Sequence, residues 1–193
     1  MRIQYKVLGS VMAVTLIGFS ACTDSEYADR DTAAVVTDTA AMGGNVEAYS
    51  DANAVAFLQT VNTGEIEAAQ LAKTKATRAE IKAFARQMET DHTTMKNEVA
   101  QTAQRLGLST TATDEDLLED HQETMRELND AKGGDEFDDK FIDEQVEAHK
   151  NALDEIDDAI ERTQNAEFKA LLQKARGAVD GHLKQAESLD KKV

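Results

Sequence analysis

Four polar residues occupy positions where the surrounding helical pattern places apolar side chains, one in each of four predicted long helices. They are Glu65, His92, His149 and His182. Three imidazoles and one carboxylate form a sufficient donor set for zinc, iron, manganese or copper, because these ions accept nitrogen and oxygen ligands. A buried carboxylate without partners is costly, so Glu65 requires a hydrogen bond, a proton or a metal ion. The sequence therefore predicts a transition-metal site inside a helical domain.

The segment that ends at His92 adds two carboxylates to this candidate set. Glu89-Thr90-Asp91-His92 has the spacing Glu-x-x-His, which places a carboxylate and an imidazole one helical turn apart. Di-iron helical bundles carry this element twice. The second copy is absent here, because the residue three before His182 is Val179. We therefore disfavour ferroxidase and di-iron oxygenase chemistry, and we interpret Glu89 and Asp91 as alternative ligands or as groups that orient the ligands.

Two other interpretations of the four polar residues stay open. A hydrogen-bonded Glu–His network without metal would fix the register of the helices, as buried polar groups do in some helical assemblies. Such a protein would be a structural or interaction module of the cell envelope. A hydrolase that uses Glu65 as a general base is less favoured, because no serine–histidine motif or glycine-rich loop accompanies it.

Other residues with metal-binding side chains are interpreted as structural. His121 lies on a predicted short helix, away from the four long apolar stripes. Met88, Met95 and Met125 follow the spacing of core residues, and an unbranched thioether side chain at such positions commonly fills gaps. We expect the three methionines to pack rather than to bind metal, and His121 to be structural or partly solvated.

Helical periodicity from about residue 52 onward predicts the elements that hold these residues. Apolar residues recur at steps of three and four along four long segments, with short turns at 73–79 and 161–167. A shorter helix over 114–131 precedes a break at Gly133-Gly134. Two long hairpins joined by a connecting segment predict an all-α, antiparallel four-helix bundle with one extra short helix. An intermolecular coiled coil would have similar repeats, but the short turns favour a bundle within one chain.

Local signals mark where the helices begin and end. Thr77 followed by Glu80 has the spacing of a capping box and predicts a tight turn before the second helix. Gly107 is a suitable end for that helix, because glycine readily adopts positive φ. Asn165 is a suitable N-cap for the last helix.

The distances from the turns place the polar residues at similar depths. Glu65 and His92 lie roughly 18 and 22 Å from the first turn, and His149 and His182 roughly 22 and 27 Å from the second. Each hairpin therefore brings its two polar residues to nearly the same height. Spacing alone leaves the register between the hairpins open, but a central position in all four helices favours one shared layer.

Composition and charge exclude several classes of protein. The 193 residues include no proline and only 10 glycines, which argues against a many-stranded β protein. Cys22 is the only cysteine, so the chain has no intramolecular disulfide and no cysteine-based zinc site. A formal net charge of −16 excludes a phosphate-binding surface and therefore a nucleic-acid partner.

The N-terminus predicts export and a lipid anchor. Two cations precede an apolar run over residues 7–19, and small residues follow it, as in a bacterial signal peptide. The run is shorter than the roughly 20 residues that a membrane-spanning helix needs. Phe19-Ser20-Ala21-Cys22 resembles a lipoprotein processing box, which implies removal of residues 1–21 and lipidation of Cys22. An incidental cysteine after an ordinary signal is the alternative.

The remaining N-terminal segment predicts how the domain is attached. Residues 22–50 are polar and acidic without a sustained apolar period, which indicates a flexible tether. Residues 51–193 form the predicted bundle domain. Acyl chains on Cys22 would bind a membrane, and the absence of an acid at Thr23 favours the outer membrane, facing the periplasm.

Two groups of residues carry a resemblance to a known family. The first half contains Phe57-Leu58, Gly64-Glu65-Ile66, Leu71-Ala72, Ile81-Lys82-Ala83-Phe84-Ala85, Met88 and Asp91-His92. The second half contains Phe137-Asp138, Phe141-Ile142, Gln145-Val146, His149, Gly181-His182-Leu183 and Ala186. Over roughly residues 51–190 the chain resembles a bacterial envelope family of unknown function, often labelled "predicted outer membrane protein". The resemblance implies a ferritin-like four-helix bundle and an envelope location, and by analogy with ferritin-like proteins it favours metal binding.

Overall fold

The computed structural model describes residues 49–109 and 114–191. They form five helices: α1 (Asp51–Lys75), α2 (Ala79–Leu106), α3 (Glu115–Asp130), α4 (Asp135–Arg162) and α5 (Ala166–Asp190). These ranges contain no β-strand, and none of their helices is both long and apolar enough to cross a membrane. The predicted all-α class, with four long helices and one short one, is confirmed. The predicted signal peptide, Cys22 and all but the last two residues of the predicted tether lie outside the described residues.

The four long helices form an antiparallel bundle. α1 and α2 pack as one hairpin and α4 and α5 as the other, while α2 lies against α5 and α1 against α4. α3 returns along the bundle from the middle of α1 to its end. At its start the Asp114 amide donates to Thr60 Oγ1, and at its end Lys75 donates to the carbonyls of Leu128 and Ala131. This crossover lets α4 run in the same direction as α2, which is the ferritin-like order.

Local capping signals account for several of the helix ends. Ser50 accepts a hydrogen bond from the Asn53 amide at the start of α1. Asn165 caps α5 by accepting from the Phe168 amide, as predicted. Gly107 ends α2 with a φ of 68°, a left-handed conformation that favours glycine. These ends fix the lengths of the hairpins and hence the heights of the residues along them.

The turn between α1 and α2 differs from the prediction. α2 begins at Ala79 with Arg78 as its N-cap residue, so the capping box predicted from Thr77 and Glu80 is wrong. Instead Asp138 of α4, which is fully buried, accepts hydrogen bonds from both turn amides and from the Thr77 hydroxyl at 2.8 to 3.2 Å. A carboxylate is a stronger acceptor than a threonine hydroxyl and therefore takes these amides. α4 thus clamps the first hairpin to the second.

The apolar core consists of two clusters, one toward each end of the bundle. The upper cluster, nearest the α1–α2 turn, includes Phe84 and Phe141. The lower cluster includes Val99 and Phe168. In each long helix, the polar residue identified from the sequence lies between the segments that contribute to the two clusters. A polar layer therefore crosses the bundle between two apolar halves.

Candidate metal centre

The polar layer contains one of the four predicted residues from each long helix. Glu65 is 8% exposed, His92 4%, His149 2% and His182 3%. The helices enter this layer from apolar turns on both sides, so the four side chains are largely shielded from bulk water. A dry environment strengthens electrostatic interactions and raises the cost of any polar atom without a partner.

His92, His149 and His182 form one compact group. Their ring centroids lie 5.8 Å apart for His92–His149, 5.2 Å for His92–His182 and 5.6 Å for His149–His182. One nitrogen from each ring lies within 4.8 Å of the others, and no other such group of three possible metal ligands occurs among the described residues. Nitrogen ligands about 2.0–2.1 Å from one tetrahedral ion are about 3.4 Å apart, so each ring needs to move inward by less than about 1 Å. The group could hold a single metal ion.

Hydrogen bonds on the outer side of each ring fix its orientation. His92 Nδ1–H donates to Asn62 Oδ1 at 3.0 Å, and His149 Nδ1–H donates to the Gln145 carbonyl at 2.9 Å. His182 uses its other nitrogen, because its Nε2–H donates to Asp91 Oδ2 at 2.9 Å. Each donation leaves a lone pair on the opposite nitrogen.

The three opposite nitrogens are buried and have no hydrogen-bond partner. They are Nε2 of His92, Nε2 of His149 and Nδ1 of His182. Metal-binding histidines typically have this arrangement, in which one nitrogen is held by an outer acceptor and the other is free to coordinate. The group is therefore oriented as a set of three nitrogen donors.

Burial keeps two of the imidazoles in the form that binds metal. Desolvation lowers the pKa of His92 well below its ordinary value, and the neighbouring His149 and His182 lower it further. Desolvation also lowers the pKa of His149, an effect that the nearby Glu65 carboxylate partly opposes. Both rings are therefore neutral near pH 7, and neutral imidazole is the ligand form.

Glu65 lies close enough to His149 to act on it electrostatically, but it is not one of the three grouped residues. Its Oε2 atom is buried without a hydrogen-bond partner, and so is Oε1 of Gln145, one turn before His149 on α4. The unpartnered Glu65 oxygen and the three unpartnered imidazole nitrogens make the layer rich in lone pairs. A cation or additional protons at the centre of the layer would satisfy these lone pairs.

The structure does not bring Glu89 and Asp91 into the group of three histidines. Asp91 is partly exposed, with 42% of its side-chain surface accessible, and contacts the group only through His182. Glu89 forms an ion pair with Lys73 and accepts a hydrogen bond from Gln70, and the Lys73 contact lowers the pKa of Glu89. The structure therefore does not place Glu89 beside the three histidines, where an alternative ligand would have to lie.

Sequence reasoning missed two residues that orient the histidines. Asn62, which holds His92, lies one turn before Glu65 and is buried, whereas the preceding residue, Val61, is only half-buried. The signal was present, because the step of four from Leu58 leads to Asn62 as readily as the step of three leads to Val61. The Gln145 carbonyl that holds His149 is a main-chain group, so no residue type could have marked it.

The fold and the site together define the class of the protein, an all-α, ferritin-like four-helix bundle with three grouped histidines at its centre. Within that class, the chain belongs to the DUF4142 family of domains of unknown function, which matches residues 35–189. The predicted membership of a family of unknown function is thereby confirmed. No match was found among curated proteins.

Solved structures of a protein named CopM have a similar fold. Its Cu(I)-bound form superimposes with a TM-score of 0.60 at 19% sequence identity, over 75% of this chain and 98% of that one. Its Cu(II)-bound form gives 0.62 at 18% identity, over 75% and 97% of the two chains. The apo form gives 0.61 at 19% identity, over 75% and 98%. At this identity the likeness shows the fold alone.

Proposed function

We propose that this protein binds one transition-metal ion between His92, His149 and His182. The observation that carries the proposal is the set of three buried imidazole nitrogens that have no hydrogen-bond partner. Each unsatisfied buried polar atom costs about 1–3 kcal/mol. One metal ion satisfies all three nitrogens at once, whereas a metal-free network leaves them without donors. This difference favours metal binding over the purely structural alternative.

The donor set indicates which metals fit. Three imidazoles suit copper, zinc and iron better than magnesium or calcium, and the affinity of a given site rises toward Cu(II). Glu65 is a buried carboxylate close to His149 and would compensate part of the charge of a divalent ion. The copper-bound structures of CopM supply an analogy at the level of fold. Copper and zinc are therefore the first metals to test, and sequestration of the ion is the activity that the site supports.

The location of the protein forms part of the same proposal. The sequence motif over Phe19-Ser20-Ala21-Cys22 supports processing before Cys22 and a lipid anchor in the bacterial envelope. We expect the mature protein to partition into detergent and to carry acyl groups on Cys22, as measured by mass spectrometry of the N-terminal peptide. A water-soluble product with an unmodified cysteine would contradict the anchor without affecting the metal site.

Metal titration tests the binding proposal directly. We use the full chain with Cys22→Ser, so that no thiol competes for the ion, and compare it with His149→Leu and His121→Ala in the same background. His121 is a matched control, because it is the one histidine outside the group and forms its own hydrogen bond to Glu67. We expect one bound equivalent of copper or zinc in the parent and in His121→Ala, and less than about a tenth of an equivalent in His149→Leu.

Circular dichroism of His149→Leu separates binding from folding. The substitution replaces a buried polar group with an apolar one on an apolar helix face, so we expect the variant to keep its fold. Uptake in the parent that is lost only in His149→Leu supports the proposal. No uptake of any transition metal by the parent would refute it and leave the metal-free network as the explanation, and equal loss in His121→Ala would place the binding elsewhere.

A further inference from the structure

A small cleft adjoins the three-histidine group on the side of the lower core cluster. Its volume is about 20 Å³, which is room for about one water-sized group. His92 and His182 form its upper wall together with Asn62 and Asp91, which hold these two rings, whereas His149 does not line it. Below them, every long helix contributes to the apolar part of the lining, which includes Leu58, Met95, Ile156 and Val179. The layer directly beneath the histidines is therefore incompletely filled.

Met95 is the only residue with a sulfur atom in the lining of this cleft. It follows His92 by three residues on α2, so the two side chains lie on neighbouring parts of the same helix face. Methionine is unbranched and has three rotatable bonds, so its thioether can turn into adjacent free space without movement of the backbone. Met88 and Met125, in contrast, pack in the upper cluster and do not line the cleft.

Contrary to the expectation from its core spacing, we propose that Met95 is a fourth ligand of the metal site and makes it selective for a soft monovalent ion, Cu(I) or Ag(I), over Zn(II). This inference rests on the proposed function, because it requires an ion between the three histidines. Thioether sulfur is a soft donor that favours Cu(I), whereas zinc in proteins is bound by thiolate sulfur, imidazole nitrogen and carboxylate oxygen. Three neutral imidazoles and a neutral thioether also leave a monovalent ion with a total charge of only +1 in a dry interior. A divalent ion in the same place needs the Glu65 carboxylate as compensation.

The experiment compares Met95→Leu with Met88→Leu in the full chain carrying Cys22→Ser. Leucine and methionine have similar volumes, so both substitutions preserve packing, and Met88 is a buried methionine on the same helix. Cu(I) affinity is measured anaerobically by competition with a chromogenic chelator, and Zn(II) affinity by competition with a zinc indicator. Ag(I) is titrated as a second monovalent probe that needs no reductant.

We expect Met95→Leu to weaken Cu(I) and Ag(I) binding by about tenfold or more, with less than about a twofold change for Zn(II). Met88→Leu leaves the affinity for all three ions unchanged. Copper X-ray absorption of the Cu(I)-loaded parent shows a sulfur neighbour that is absent in Met95→Leu, and the parent spectrum remains informative even if that variant folds poorly.

Two outcomes would overturn the role of Met95 while leaving the metal site intact. One is an unchanged Cu(I) affinity in Met95→Leu, and the other is a parallel loss of Cu(I) and Zn(II), which would indicate a disturbed histidine geometry. A parent protein that binds neither ion would instead refute the proposed function itself. The two failures are therefore distinguishable.

Discussion

Asp138 provides a quantitative prediction about the contact that joins the two hairpins. Its buried carboxylate accepts hydrogen bonds from the Thr77 amide, the Thr77 hydroxyl and the Arg78 amide. In Asp138→Asn, one carboxylate oxygen becomes an NH₂ group, which can donate but cannot accept. In the better of the two amide orientations, the remaining oxygen replaces Oδ2 and keeps the Thr77 hydroxyl and the Arg78 amide. The Thr77 amide then keeps only its longer contact, to that oxygen at 3.2 Å, and faces an NH₂ group in place of Oδ1.

The magnitude follows from these contacts. A hydrogen bond to a charged group contributes about 1.5–3 kcal/mol, and the Thr77 amide loses most of one such bond. The two retained bonds also lose the charge that strengthens them. We therefore expect the free energy of unfolding to fall by about 3 kcal/mol. For a domain of this size, that change lowers the melting temperature by about 10 °C.

Urea denaturation followed by circular dichroism measures this loss in the metal-free protein. Asp154→Asn is the control, since Asp154 is an exposed residue on the same helix, and its substitution changes stability by less than about 0.5 kcal/mol. Hydrogen exchange adds a local test, because the Thr77 amide should lose protection in Asp138→Asn and not in the control, while the Arg78 amide keeps its acceptor. A loss below about 1 kcal/mol, or one equal to that of the control, would refute the clamp.

Three further predictions concern the site and its surroundings. Burial lowers the pKa of His92 and His149, so below about pH 6.5 the unfolded chain binds more protons than the folded one. The stability of the metal-free protein is therefore full above that pH and falls below it, with a smaller slope in His149→Leu. Urea midpoints measured from about pH 8 to 5 test this. Gly64→Ala lowers the free energy of unfolding by about 1 kcal/mol despite its better helix propensity, because the added Cβ would lie 2.8 Å from the His121 imidazole of α3. A higher stability in urea would contradict this. Asp91→Asn weakens copper binding about tenfold in a titration, because His182 loses a charged acceptor; unchanged affinity would remove that role.

The sequence predicts the helices and their caps well because both depend on nearby residues. Apolar spacing at steps of three and four reports which face of a helix is buried, and Asn165 and Gly107 act within one turn of the ends they mark. The predicted start of α2 was wrong because it depends on a distant residue. The acceptor for its turn amides is Asp138, 61 residues further along the chain from Thr77, and no local pattern encodes that contact.

The same distinction explains the candidate site. The depth of each histidine follows from its distance to a turn, so spacing favoured one layer, and the structure brings three imidazoles together there. The direction around each helix is less well determined by spacing. At about 100° per residue, Glu89 points about 60° to one side of His92, toward Lys73 of α1, while Asp91 points about 100° to the other side, toward His182 of α5. Only packing against specific neighbours decides which of these carboxylates approaches the centre.

The polar layer lowers the stability of the folded protein, and a bound ion would offset this loss. Without metal, the layer holds buried lone pairs that lack donors, including the three imidazole nitrogens and Glu65 Oε2. Apolar residues at these positions would make a more stable bundle, because burying well-packed hydrocarbon avoids that desolvation. An ion present at about 100 times its dissociation constant adds about 2.7 kcal/mol to the folded state. The arrangement therefore favours a protein that binds a metal ion over one in which the polar layer has only a structural role.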